Sequence, residues 1–594
     1  MAASVAYRPA RRPLPASLMS KPVLYAMVVV AMVVSGAQGG SVKHYKWKVD
    51  YQYWSPDCVE KVIISINGQY PGPTIRVREG DTIVVEMENL MPTEAVIMHW
   101  HGMQQRGTPW YDGAGGVSQC AINPGETFVY RFQAEKAGTY FYHGHLGLQR
   151  TAGFYGSLIV DVGRGVQEAF EYDGELSILL NDWWHRSAIE QGLGLYSDPF
   201  RWVGEPQSLL MEGRGKYNCS LVSGGDAEEA AGDRPRCDET NKQCKPLVLR
   251  VQPGLKYRLR LASVTSLSSL NFQIEDHNMT LVEADGNYVE EVVLDNLNLY
   301  SGESYSVLIE AYKQPPGGRK TFWVTAHVQG RLPKTTPALA ILVYGDGEAT
   351  TPVSSPPLAP AAWNDTAFSL RQSRMIVAKK GTIPPPASSD QQIILLNTQN
   401  RINGVIKWAI NNISLVPPTT PFLPALKFGL KLAFDHTIPP VSYPMTTYDI
   451  FSPPKNPNAN FGTQIYRFPF NSTVDIILQN ANSLTVNNSE VHPWHMHGHD
   501  FWVLGYGHGK FNPEVDPQAF NLKNPPLRNT VPLYPYGWTA LRFVANNPGA
   551  WFFHCHVEAH LHMGMGIVFA EGIEHLDRLP RSTMGCGLTK TWLP

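Results

Sequence analysis

The chain has 594 residues, too many for one core, and its 43% apolar content can fill about three or four domains. Lys+Arg 49 stand against Asp+Glu 51, and charged residues make up only 17%. That balance leaves no basic face, and it argues against a nucleic-acid partner and against a polybasic membrane patch.

The first segment in chain order is an export signal. Arg8, Arg11, Arg12 and Lys21 precede the apolar run "PVLYAMVVVAMVV", and the small residues "SGAQGG" follow it. Residues 1–39 therefore read as a secretory signal peptide, cleaved near Ala37 or Gly39. The run is short for a retained span, no other stretch is long enough, and "GCGLTKTWLP" offers no tail for a lipid anchor. A secreted chain with no membrane association after cleavage is expected.

The elements that follow are strands. "TIRVREGDTIVVEMENL" (74–90) reads strand, Gly turn, strand, and Ile83, Val85 and Met87 keep a period of two. "VLRVQPGLKYRLRLASV" (248–264) and "YRFPFNSTVDIILQNA" (466–481) have the same shape. Gly 51 and Pro 47 supply turns for many short strands, and no long amphipathic helix stands out. The expected fold is all-β, in three consecutive units of Greek-key barrel or sandwich type. A sharper repeat supports this: "AGTYFYHGH" (137–145) matches "PGAWFFHCH" (548–556), with "KTFWVTAHV" (320–328) at the equivalent place between them. The units are expected at 41–168, 169–388 and 389–594, the second ending in a Pro- and Ser-rich tract that reads as an extended linker.

Four His-x-His pairs of the outer units stand out and the middle unit has none: His99/His101, His143/His145, His495/His497 and His554/His556. On a strand, residues two apart share a face roughly 6.5 Å apart, so both rings can reach one metal or two adjacent ones. One site of eight imidazoles between the first and last units is the expectation. Imidazole suits Cu, Zn, Fe and Ni. Cys555, between His554 and His556, must then face the other way, where His492, His560 and Met565 are placed to join it. Two His, a thiolate and a weak Met make a blue-copper electron-transfer site. A zinc hydrolase would want a carboxylate or an open position and gains nothing from Cys flanked by His. His499 and His562 are left over, as outer or surface groups.

Cys555 is also the odd one of seven cysteines. The other six, Cys58, Cys120, Cys219, Cys237, Cys244 and Cys586, allow fifteen pairings. Sequons at Asn218, Asn278, Asn364, Asn412, Asn471 and Asn487 suit the same oxidising compartment.

Through these residues the chain resembles the multicopper oxidases, and among them the plant enzymes that oxidise ascorbate. The likeness spans the mature chain, in "INGQYPGPTI", "HWHGMQQRGTPWYDG", "AGTYFYHGHLGLQRTAGFYGSLIV", "RWVGEPQ", "KWAINNISL", "HPWHMHGHDFWVLG" and "HCHVEAHLHMGMGIVF". The resemblance implies three cupredoxin domains and four coppers per chain. Type 1 would lie at His492, Cys555, His560 and Met565; type 2 at His99 and His495; the type 3 pair at His101, His143, His145, His497, His554 and His556. It implies ascorbate and O2 as substrates, secretion to the cell wall (apoplast) and a homodimer. Bridges Cys58–Cys244, Cys120–Cys586 and Cys219–Cys237 are implied too. Asp112 and Glu558 would supply protons for water formation, the other reading being structural hydrogen-bonding acids. Trp202 and Trp408 would wall the ascorbate pocket beside an exposed edge of His560. The alternatives are a laccase oxidising phenols, against which Met565 speaks, and a non-enzymatic cell-wall glycoprotein of the same fold, against which the full set of twelve ligand positions speaks.

Overall fold

The computed structural model describes residues 40–224 and 236–592; the expected signal peptide, residues 1–39, lies outside them. Six sheets of four to eight strands stand in three pairs along the chain. The first pair uses strands from Val42–Trp54 to Tyr155–Asp161, the second from Gly174–Trp183 to Ala338–Tyr344, and the third from Gln391–Ile402 to Gly566–Glu571. Each pair mixes parallel and antiparallel neighbours and encloses its own apolar core, as in the cupredoxin fold. Among the described residues no helix is long and apolar enough to cross a membrane.

The strand–Gly–strand repeat turns out to be an arch rather than a hairpin. Ile75–Arg78 lies in one sheet of the first pair and Thr82–Asn89 in the other. Leu247–Val251 and Lys256–Ser263 are divided in the same way, and so are Tyr466–Phe468 and Thr473–Gln479. Alternation explains why: Ile83, Val85 and Met87 are fully buried between the sheets, and the chain must cross the sandwich edge to bury the next apolar set.

The Pro-rich tract is docked, not free. Ser354 and Pro357 offer carbonyls to Trp323 Nε1 (2.8 Å) and His327 Nε2 (3.1 Å), and Leu358 accepts from Gln273 Nε2 (2.8 Å). It runs into a helix, Thr366–Met375, whose cap Asp365 accepts from Phe368 N.

Three disulfides are formed: Cys58–Cys244, Cys120–Cys586 and Cys219–Cys237. The second spans 466 residues and fastens the first sandwich to the C-terminal segment. Cys555 is the free cysteine and is buried. Five of the six sequon asparagines are exposed; Asn412 is half-buried.

Candidate metal centre

The outer sandwiches present their histidines on matching strands. Met98–His101 pairs antiparallel with Gly138–Gly144, putting His99 opposite His143. His492–Met496 pairs antiparallel with Gly549–Cys555, putting His495 opposite His554. The two strand pairs face each other across the interface. His101 stacks on His495 with ring centroids 3.7 Å apart, and His99 on His497 at 3.9 Å. All eight expected rings meet there; seven are buried and His145 is half-buried.

Their outward nitrogens are occupied. Nδ1 of His99, His143, His495 and His554 lies 2.7–2.9 Å from the carbonyls of Asp112, Gly144, Asn529 and Cys555. A carbonyl only accepts, so in these four rings Nδ1 carries the proton and Nε2 keeps its lone pair. Yet His99 Nε2 and His495 Nε2 point at each other across 3.3 Å with no proton between them. Two facing lone pairs want a cation. His497 Nε2 and His145 Nε2 approach His554 Nε2 in the same way, at 3.1 and 3.2 Å. Burial pushes His101, His143, His145, His495, His497, His554 and His556 well below the usual imidazole value, so they stay neutral and ready to bind.

Cys555 faces the opposite way, into the last sandwich. Its Sγ lies 3.8 Å from His492 Nδ1 and 3.7 Å from His560 Nδ1. Metal–ligand bonds of about 2 Å make those the separations of donors on one ion. Met565 is fully buried in the same core and its carbonyl accepts from Cys555 N. Burial pushes the Cys555 thiol up and His492 and His560 down to about 3. Only a bound cation would hold that sulfur as thiolate. The donor chemistry at both places fits copper, the N/S set at Cys555 most specifically.

The expected acids behave differently from each other. Asp112 is fully buried; its Oδ2 accepts from His497 Nδ1 at 2.8 Å, and Oδ1 has no hydrogen bond among the described residues. Glu558 has both oxygens engaged, Oε1 by Arg150 N and Oε2 by Thr151 N, Thr151 Oγ1 and Ser266 Oγ. That supports the structural of its two readings. Both Glu558 and Arg150 line a cavity of about 190 Å³ that reaches His145, His554 and His556.

The expected exposed edge of His560 needs correction: His560 is 2% exposed and Trp408 likewise 2%. Trp408 packs on His492 and His560, with centroids 4.8 and 4.9 Å away, so it touches the ligands themselves. Trp202 is half-buried, its ring 5.9 Å from that of His560. Beside them Arg331 grips Glu205 at 2.6 Å and lies 3.8 Å from Glu490, whose carboxylate is 3.6 Å from His560 Nε2. Of the leftover histidines, His499 is buried against Glu571 rather than at the surface, and His562 lines the same 190 Å³ cavity.

Sequence reasoning passed over several residues at the site. Arg150 Nη1 lies within 3.0 Å of both ring nitrogens of His556, and Ser301 Oγ within 2.8 Å of its Nδ1. Thr530 Oγ1 lies 3.1 Å from His495 Nδ1. Ser301 and Thr530 belong to no motif with a ligand residue in it; Arg150 lies in the same quoted stretch as His143 and His145, five residues past His145, and that nearness was the one available signal.

Three family profiles, each described as Multicopper oxidase, match residues 48–164, 174–347 and 435–575. The chain is 52% identical over 567 residues to an L-ascorbate oxidase of Brassica rapa subsp. pekinensis, covering 95% of this chain and 98% of the other. It is 33% identical over 577 residues to Laccase-2 of Oryza sativa subsp. japonica, covering 93% and 95%. Among solved structures it is similar to a laccase from Botrytis aclada, with TM-score 0.74, 25% identity and 92% and 90% of the two chains covered.

Proposed function

The chain belongs to the multicopper oxidases, and on that premise we propose that it is a secreted, cell-wall L-ascorbate oxidase that takes single electrons from ascorbate and reduces O2 to water. His492, Cys555, His560 and Met565 would hold a type 1 copper, His99 and His495 a type 2 copper, and His101, His143, His145, His497, His554 and His556 a type 3 pair, four coppers in all. When bound, copper supplies the one-electron oxidation of the donor and the four electrons that O2 requires.

The observation that carries this reading is the position of Cys555. Its side chain meets His492 and His560, while its chain neighbours His554 and His556 belong to the eight-ring cluster. One residue thus joins an electron entrance to an oxygen site by covalent bonds alone. The chain's other groups do the rest. The 190 Å³ cavity admits a small molecule to His145, His554 and His556, while the interface keeps bulk water from the remaining rings. Asp112 Oδ2 holds the His497 proton in place, and its Oδ1, which has no hydrogen bond among the described residues and lies 3.4 Å from His99 Nδ1, would be able to take and pass a proton. Ascorbate would lie against the half-buried Trp202, whose ring is 5.9 Å from that of the buried His560. The greater likeness to ascorbate oxidases than to laccases, with Met565, favours it over a phenol.

The test is copper content together with oxygen uptake on ascorbate and on a simple diphenol. Close to four coppers and at least a tenfold preference for ascorbate are expected. Equal efficiency on both donors would make it a laccase, and absence of uptake in copper-loaded protein would leave a glycoprotein of the same fold.

A further inference from the structure

The middle sandwich supplies no histidine to the cluster, yet one of its hairpins reaches it. The tip between strands Met279–Ala284 and Asn287–Leu294 is Asp285–Gly286, both at positive φ (47° and 72°), as a two-residue hairpin requires. It is pressed against the first sandwich: a Cβ on Gly286 would lie 2.1 Å from the Tyr140 hydroxyl. Next to it, Lys136 Nζ donates to Asn287 Oδ1 (2.8 Å) and pairs with Asp500 of the last sandwich (2.6 Å). The tip is a junction of all three units.

Asp285 is 1% exposed, and its two oxygens are used unequally. Oδ1 accepts from Ser304 N (2.9 Å), within its own sandwich. Oδ2 reaches into the last sandwich and accepts from Arg528 Nε (2.8 Å), Asn529 N (3.1 Å) and Thr530 N (3.1 Å). Arg528 is held from its far side by Tyr305 Oη and Glu303, each at 3.0 Å. The carbonyl of Asn529 accepts from His495 Nδ1 (2.9 Å). That carbonyl and the Thr530 N–H belong to one peptide unit, which is planar and trans. Gripping the N–H at one edge therefore fixes the direction of the C=O at the other. The same residue adds Thr530 Oγ1, 3.1 Å from His495 Nδ1 and 3.3 Å from His101 Nε2.

We propose that Asp285 is a positioning residue for the metal ligand His495, acting through the Asn529–Thr530 peptide plane. The inference rests on the reading of His99 and His495 as a metal pair. Asp285 touches no ligand ring. It sets the carbonyl that sets the tautomer and tilt of one. A partner one step removed from the metal is commonly worth about ten- to a hundredfold in affinity or activity. The middle sandwich, on this account, is retained in part to aim a ligand that stands on another.

The experiment compares Asp285→Ala and Asp285→Asn with Asp475→Asn. Asp475 is a buried carboxylate gripping Arg542 (2.6 Å) inside the last sandwich, and it has no link to His495, so it reports on stability alone. Full-length copper-loaded protein is examined by visible absorption, by electron paramagnetic resonance of the non-blue copper, by copper loss to EDTA and by thermal unfolding. Asp285→Ala is expected to keep the blue band, alter the type 2 hyperfine splitting, lose non-blue copper about tenfold faster and lower kcat without changing KM for ascorbate. Asp475→Asn is expected to lower stability with a native type 2 spectrum. Native spectra and copper retention in both Asp285 variants, with only a loss of stability, would overturn the inference. Should Asp285→Ala yield no folded protein, the nearly isosteric Asp285→Asn decides it by the same spectrum. Wild-type protein that takes up no type 2 copper would instead bring down the reading of the His99–His495 pair.

Discussion

The strands Gly138–Gly144 and Gly549–Cys555 are the same element in two sandwiches, and they differ at one decisive position. Both set a histidine opposite another in identical register, His143 with His99 and His554 with His495. Both continue with an inward histidine two residues on. Between those histidines the first sandwich has Gly144 and the last has Cys555. A Cβ on Gly144 would lie 2.5 Å from Phe154 Cδ1 and 2.8 Å from Gln149 Cβ, so the back of that strand is filled by its own core. In the last sandwich the same direction opens on His492 and His560. Both strands supply the cluster, but only one carries a cysteine with room behind it, as the proposed electron entrance requires.

The difference between the two strands rests above all on Cys555. Cys555→Ser should abolish both the blue colour and oxidase activity while the eight imidazoles still take up copper, read by absorption, oxygen uptake and metal analysis. A colourless native copper-loaded protein would already contradict the role given to Cys555. Removing a cluster ligand should divide the two sites the other way. His497→Ala is expected to stay blue and to be bleached by ascorbate, with oxygen uptake lost, because its ring is separate from the Cys555 site. Native oxygen uptake in that variant would show the eight-ring cluster to be misassigned.

Acid should act on both sites at once. The buried rings, including His492 and His560 held at about 3, resist protonation in the fold, whereas the same residues in an unfolded chain charge below about 6.5. The unfolded state then binds more protons, so stability of the copper-free protein should fall steadily as pH drops from about 6.5 towards 3. Copper should leave over the same range. A flat unfolding midpoint across that interval would remove the burial argument.

Smaller effects sharpen the contrast between the strands and around the entrance. Gly144→Cys should cost about 1–3 kcal/mol by overpacking and yield no second blue site, measured by thermal unfolding and by the blue band per chain. Trp202→Ala should lower kcat/KM for ascorbate by about tenfold, within the ~1–3 kcal/mol of an emptied apolar contact, and leave the band unchanged. Trp408→Ala should shift the band as well, since that ring packs on His492 and His560. A native band in Trp408→Ala would show that its packing on His492 and His560 does not shape the copper site.

Much of the site was legible because its chemistry is local in sequence. His-x-His on a strand fixes two rings on one face by period alone, and an unpaired Cys between two such rings has to point the other way. Fold class followed equally from period-two runs repeated three times. What could not be read was how strands combine. Ile75–Arg78 and Thr82–Asn89 look like a hairpin, yet they lie in different sheets, because which sheet a strand joins depends on partners far along the chain. Burial of Trp408 and His560 was likewise hidden, since an indole's exposure is set by whatever packs over it.

The amino-acid sequence by itself determined the all-β class, the threefold repeat, the four histidine pairs and the odd cysteine, because each is a matter of residue type at short fixed spacing. Only the tertiary structure decided that Asp112 Oδ1 stays free while Glu558 is fully engaged, and that Arg150, Ser301 and Asp285 stand behind His556 and His495. Those contacts join residues from 243 to 408 positions apart wherever the middle sandwich or the first meets the last. No local pattern encodes them: a carboxylate acquires its partners from the surface it is pressed against, and that surface exists only once the three sandwiches have closed on one another.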